Sequence, residues 1–335
     1  MPKAVIVGTG LYAPGSPIDN AMLKKLTGVE FDTERLETKL GIHKRHIARL
    51  SGLRESTADF AEKAARRALE AADVDPGKVG LFIVATDTPE YISPATSIVL
   101  QGRLQGRETS AKSFDLGASC ASFVEALDAA ARHLVTDPSL RYALVVGVYN
   151  MPAYIRDGDA FGWSIFADGA GAVVLERKEE SSSGYIEGAF VTDGTQWNFV
   201  GVYAGGTKLP MTHERLDSGE YGLELLQRLP GDRNVKLWPP LVMRLLDKAG
   251  LPQSAVDHYL FTQINRSVIE QVMEALGEPL EKTTMVMNRY GYTGSACIPM
   301  ALHEAIQARR IEKGDVVVLV ASGAGLAVGA SLLKF

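Results

Sequence analysis

The chain has 335 residues, 46% of them apolar and 22% charged, with a formal net charge of -5. Disordered and fibrous classes are excluded, and the length suffices for two packed layers or two domains. With no overall basic field, nucleic acid and anionic membrane surfaces are not expected partners; two cysteines far apart give neither a disulfide framework nor zinc spacing, so a reducing cytoplasm is the expected compartment. The start, MPKAVIVGTG, enters an apolar strand after one lysine, without the length or flanks of a signal peptide. Ala61, Ala64, Ala65, Ala68, Leu69 and Ala72 recur at helical spacing and predict a helix over 58–72, stopped by Asp75-Pro76-Gly77. An apolar strand follows over 79–87, Pro94 is placed to open a helix at its first position, and SFDL leads into a helix that carries Cys120 and runs to about residue 135.

TDPS ends that helix, and YALVVGVY is the next strand. The stretch 194–234, rich in glycine and aromatics, is a long irregular excursion of the kind that either covers a site or decorates a surface. Residues 316–333 carry no charge over about the minimum length of a membrane helix. Their central glycines and serine and their valine-rich ends predict instead strand, tight turn and strand, buried on both faces, with no membrane span.

The chain echoes itself. Ala167-Asp168-Gly169-Ala170-Gly171 before AVVLE is matched by Ala321-Ser322-Gly323-Ala324-Gly325 before LAVGASLL. Cys120 with its helix and YALVVG is matched by Cys297 with PMALHEAIQARR and DVVVLV, and GLFIVAT by HYLFTQIN before a helix over 268–276. These echoes predict a layered α/β architecture built from two duplicated halves, 1–176 and 177–335, the first carrying the nucleophile.

Cys120 sits among Gly117, Ala118, Ser119 and Ala121, where a strand gives way to a helix. A helix N-terminus favours a thiolate through its partial positive charge, and small neighbours would let a carbonyl reach the sulfur while the Cys120 N–H donates to the oxyanion. Free cysteines are also commonly inert core residues; Cys297, followed by Ile298 and Pro299, fits that description. The GTG at Gly8–Gly10 lacks the third glycine of a dinucleotide fingerprint, and GAGAVV lacks the lysine of a phosphate loop, so both read as turns and close backbone contacts.

DLGASCASF, FADGAGAVVLE, VIVGTGLYAP, GIHKRHIA and ASGAGLAVGASLLKF, in order from residue 4 to 335, resemble the beta-ketoacyl-acyl-carrier-protein synthase III family of the thiolase superfamily. The resemblance implies a thiolase-like five-layered αβαβα fold, a homodimer, and transfer of an acyl group from a coenzyme A or carrier-protein thioester onto Cys120. A carbanion made by decarboxylating a malonyl thioester would then attack the acyl-enzyme. No permanently bound cofactor is implied; acyl-CoA is a substrate and acyl carrier protein a possible partner.

Two positions depart from the family pattern. The usual histidine before Gln-Ala-Asn is Thr262 in Thr262-Gln263-Ile264-Asn265, and the usual asparagine of a glycine-containing turn is Tyr292 in NRYGYTGSA. Each hydroxyl can donate one hydrogen bond, but neither is a base near neutral pH. The second backbone oxyanion donor maps to Ala324, a residue that often limits the acyl pocket to Ser93, and a basic position near the coenzyme A entrance to Lys39. His258 lies about 13 Å along the strand from Thr262; His133 and His303 sit on helices, while His43, His46 and His213 stay open as substitutes. Condensation with an altered site, acyl transfer to an oxygen, nitrogen or sulfur acceptor, and a non-catalytic acyl-binding or heterodimer subunit are the three functions this pattern allows.

Overall fold

In a computed structural model describing residues 2–335, the strands pair into two large sheets of matching order and two small two-stranded sheets. The first runs Lys3–Tyr12, Gly169–Lys178, Tyr142–Tyr149, Val79–Ala85 and Lys112–Leu116. The second runs Gly184–Gln196, Gly325–Lys334, Val316–Gly323 and His258–Phe261, with a single parallel bridge from Tyr259 to Thr283 where a fifth strand would stand. Antiparallel and parallel pairings also fall at equivalent places. The chain passes from one sheet to the other between Lys178 and Gly184, so a boundary drawn at 176 falls within the end of a strand.

The period of two along a strand decides the layering. Leu81, Ile83 and Ala85 point to a central core shared by both sheets, while Phe82 and Val84 point to an outer core. Val317, Leu319 and Ala321 reach the same central core from the second sheet, and Val318 and Val320 reach the opposite outer core. Helices Ser122–Thr136 and Cys297–Gln307 fill the middle layer; Thr57–Ala72 and Thr96–Gln105 cover one outside face, Arg233–Ala249 and Arg266–Leu276 the other. The result is five layers, αβαβα, as the resemblance implies.

The uncharged stretch near the carboxyl end forms strands Val316–Gly323 and Gly325–Lys334, paired from Val316↔Lys334 to Gly323↔Ala327. Among the described residues no helix is long and apolar enough to cross a membrane. Pro94 does not open a helix: the helix begins at Thr96, where the Asp115 carboxylate accepts the amides of Thr96 and Ser97 at 2.7 and 2.8 Å. A side-chain cap from the strand that follows the helix, Lys112–Leu116, sets that start, and local sequence does not announce it.

The GTG motif proves to be a packing device. A Cβ on Gly8 would lie 2.4 Å from the Ala68 carbonyl oxygen, and one on Gly10 would lie 2.3 Å from that of Ala64. The fully buried alanines of helix Thr57–Ala72 answer these glycines, so helix and strand backbones meet directly. We expect Gly10→Val to lower the unfolding free energy by about 1–3 kcal/mol or more, since the opposing carbonyl is backbone and cannot rotate away. Chemical denaturation checks this, and an unchanged midpoint would refute it.

Candidate active site

Cys120 lies in the turn between strand Lys112–Leu116 and helix Ser122–Thr136, two residues ahead of the helix. Ser122 stitches the turn: its hydroxyl accepts the Ala118 amide at 2.8 Å and donates to the Ser119 carbonyl at 2.5 Å. Ser119 takes a left-handed φ of 51°, which costs a non-glycine residue about 1 kcal/mol. From the other half, Gly323 presses onto this turn, and a Cβ there would lie 2.3 Å from the Ala118 carbonyl and 2.9 Å from the Cys120 amide.

The sulfur opens onto a cavity of about 410 Å³. Cys120 is only 9% exposed, yet it lines that cavity, so it is neither walled into the core nor free at the surface. The 194–234 excursion supplies much of its lining. Within it Val200–Val202 pairs with Leu223–Leu225, and Trp197, Val202, Leu223 and Leu225 give the cavity an apolar lining suited to an acyl chain. Of the two roles the sequence allowed this excursion, covering a site is the observed one.

Thr262, Tyr292 and Ala324 line the same cavity. Thr262 follows strand His258–Phe261 directly, and its buried hydroxyl oxygen accepts the Ser322 amide at 3.0 Å, which leaves its proton as a donor. Beside it, Gln263 acts as a staple: its Nε2 donates to the Phe261 and Thr284 carbonyls and its Oε1 accepts the Val286 amide. Asn265 caps helix Arg266–Leu276. Tyr292 is held through its backbone, its amide donating to the Ile165 carbonyl and its carbonyl accepting the Ala167 amide at 2.9 Å, with its ring packed against Phe166 and Tyr149. Ala324 occupies the apex between the last two strands.

Ser93 and Lys39 are not brought to this site. Ser93 is exposed on the loop that follows Glu90, whose carboxylate accepts the Ser56 hydroxyl and the Ala58 amide, each at 2.8 Å. Lys39 is exposed at the end of a short helical turn, Leu36–Leu40. Neither lines the cavity, and none of the six histidines does. His258 bonds to the Thr284 hydroxyl at 2.8 Å, and burial, aided by the Arg310 charge, lowers its pKa to about 4, so it stays neutral. Cys297 is fully buried, and burial pushes its thiol pKa up; it is a packing residue.

The electrostatics differ from the sequence expectation. Burial first, and the negative charge of Asp87 second, push the Cys120 thiol up to about 12; the Tyr292 hydroxyl and Ser119 oppose this without prevailing. Cys120 stands two residues ahead of the helix, and desolvation disfavours its thiolate there. Tyr292 is buried among other ionisable groups, so its phenol pKa is raised well above the usual value and it remains a neutral donor.

Sequence reading missed Asp87 and Arg233, which both line the cavity. Asp87 had a signal: it stands just past the carboxyl end of a buried parallel strand, where open α/β sheets place their ligands. Arg233 had none, because it arrives from the far end of the excursion, with its Nη1 donating to Gln196 Oε1 at 3.1 Å.

Residues 114–194 match the sequence model of 3-oxoacyl-acyl-carrier-protein (ACP) synthase III, and residues 246–335 match that of its C-terminal part. The chain is 33% identical to the beta-ketoacyl-acyl-carrier-protein synthase III of Coxiella burnetii over all of both chains, and 34% identical to that of Alkalilimnicola ehrlichii, again over all of both. Among solved structures, the 3-oxoacyl-acyl-carrier-protein synthase III of Aquifex aeolicus superposes with a TM-score of 0.85 at 29% identity, covering 99% of this chain and all of that one. The priming beta-ketosynthase of the R1128 polyketide pathway gives 0.86 at 26%, covering 99% and 96%.

A thiol this resistant to ionisation should react slowly with iodoacetamide at neutral pH. We expect the rate of Cys120 alkylation to climb roughly tenfold per pH unit, without a plateau below about pH 10. A plateau near neutrality in the pH–rate profile would mean that the helix end outweighs burial.

Proposed function

Because this chain belongs to the 3-oxoacyl-acyl-carrier-protein (ACP) synthase III family, condensing transferases of thiolase-like fold, we propose that it loads an acyl group onto Cys120 and condenses it with a malonyl thioester through an altered site. The observation that carries this reading is the placement of the Cys120 sulfur on the wall of an apolar cavity together with Thr262, Tyr292 and the Ala324 backbone. Cys120 attacks the thioester carbonyl, and the backbone N–H groups of Cys120 and Ala324 hold the oxyanion as the donor thiol departs. In the second half-reaction the malonyl thioester loses carbon dioxide and its carbanion attacks the acyl-cysteine. The Thr262 and Tyr292 hydroxyls then donate to the enolate oxygen, in place of an imidazole and an amide. Losing one such donor costs about 10²- to 10³-fold in rate, so two neutral hydroxyls are the least that would keep this step.

The donor in this proposal is an acyl-CoA or acyl-carrier-protein thioester, with no permanently bound cofactor, in the cytoplasm. Tyr91, Ile98 and above all Ile92, which is 88% exposed, make an apolar surface beside Ser93 that supports pairing into a homodimer. A second reading, transfer of the acyl group to an oxygen, nitrogen or sulfur acceptor, is favoured by the absence of any histidine from the cavity lining, since that route needs no decarboxylation. A non-catalytic acyl-binding subunit is the remaining alternative.

Intact mass measurement after incubation with a panel of acyl-CoA thioesters should show an adduct on the wild type that Cys120→Ala abolishes; an unmodified wild type would support the binding subunit. Carboxyl-labelled malonyl thioester added to the acyl-enzyme should release labelled carbon dioxide if the chain condenses. Retention of the label, with transfer to another acceptor, would support the second reading. Thr262→His combined with Tyr292→Asn should raise the condensation rate at least about tenfold, and an unchanged rate would show that these positions do not carry the difference.

A further inference from the structure

The geometry points to Asp87 and Ser119 as a proton shuttle for the Cys120 sulfur. The Ser119 hydroxyl donates to Asp87 Oδ2 at 3.0 Å and lies 3.7 Å from the Cys120 Sγ, within reach of a sulfur hydrogen bond. All three residues line the cavity. The left-handed backbone of Ser119 is strained for any side chain, and the position nevertheless carries a hydroxyl joining carboxylate to thiol.

This inference rests on the acylation of Cys120 proposed above. A thiol pushed up to about 12 offers a bare thiolate only about once in 10⁵ molecules at pH 7, so direct attack is slow without a proton acceptor. As the sulfur attacks the thioester carbonyl, the S–C bond forms, the thiol proton passes to Ser119 Oγ, and the Ser119 proton passes to Asp87 Oδ2. The tetrahedral adduct collapses by breaking its bond to the donor sulfur, and the departing thiolate takes a proton back from Asp87 through Ser119. When an acceptor later displaces Cys120, the same pair reprotonates that poor leaving group once the acceptor's proton, or a solvent proton, has reached the carboxylate. Each cycle returns Asp87 to its anion, and no outside oxidant or reductant enters.

The site suits the role. Water reaches the Asp87 carboxylate through the cavity, while the dense protein around it raises its pKa and so improves it as a base. The ionisable groups facing it are Cys120, Tyr149 and Tyr154, and Arg233 lines the same cavity. Both tyrosines are pushed upward by burial and by Asp87 itself, so neither competes as a base.

Asp87→Asn separates a shuttle from a mere charge, because the two predict opposite signs. Removing the negative charge lowers the Cys120 pKa, so alkylation by iodoacetamide, which needs only the thiolate, should become faster at neutral pH. Removing the proton acceptor should slow acylation by an acyl-CoA at least about 10²-fold, read by intact mass against time. Ser119→Ala should slow acylation similarly, and Asp87→Glu should restore part of it. The faster alkylation also shows that the variant is folded with an open site. Acylation of Asp87→Asn at the wild-type rate or above overturns the shuttle while leaving Cys120 acylation intact, as does an unchanged Ser119→Ala. A wild type that no acyl-CoA modifies overturns the acylation reading and the shuttle with it.

Discussion

The contact of Gly323 with the Cys120 turn is the constraint on which the site depends. It lays the end of one half's central strand against the Ala118 carbonyl and Cys120 amide of the other half, with no room for a side chain between them. With that contact made, Ala324 and Thr262, whose hydroxyl holds the Ser322 amide, line the same cavity as the sulfur. The five layers serve this contact. Two helices wedged between two sheets of equivalent order bring the carboxyl ends of both sheets to one place, and the apolar excursion closes the space above them.

Burial and charge act on the sulfur in the same direction. An apolar cavity suited to an acyl chain is a poor solvent for a thiolate, and Asp87 adds a like charge to that penalty. The site therefore favours the neutral thiol of Cys120, and in the proposed chemistry that thiol needs a route for its proton. Most partners that could assist are themselves neutral: Tyr292 and Tyr149 are kept protonated by burial, Thr262 is an alcohol, and no imidazole lines the cavity. What the chain retains is a set of hydrogen-bond donors around a small space, with one carboxylate linked to the sulfur through a hydroxyl.

The parts legible in the sequence share a cause: they are set by local period or by the absence of side-chain volume. Alternating cores along Val79–Ala85 and Val316–Gly323, the alanine face of Thr57–Ala72 and the small residues around Cys120 are visible as patterns because burial acts on every second, or every third and fourth, residue. Cys120, Thr262, Tyr292 and Ala324 were placed by motif and register, and the fold gathers all four. Ser93 and Lys39 were placed by the same register and are left outside, because register along the chain does not encode the direction a loop takes in space.

By itself, then, the sequence determined two echoing α/β halves, strands buried on both faces, and a cysteine in a clearing, since these depend on residue size and spacing alone. Only the tertiary structure decided the state of that cysteine, the covering role of the 194–234 excursion, and the arrival of Asp87 and Arg233 at the cavity. Desolvation and charge are set by what surrounds a group in space. The neighbours that raise the Cys120 pKa and line its cavity come from segments more than two hundred residues apart, from Asp87 to Gly325, and no local pattern encodes their meeting.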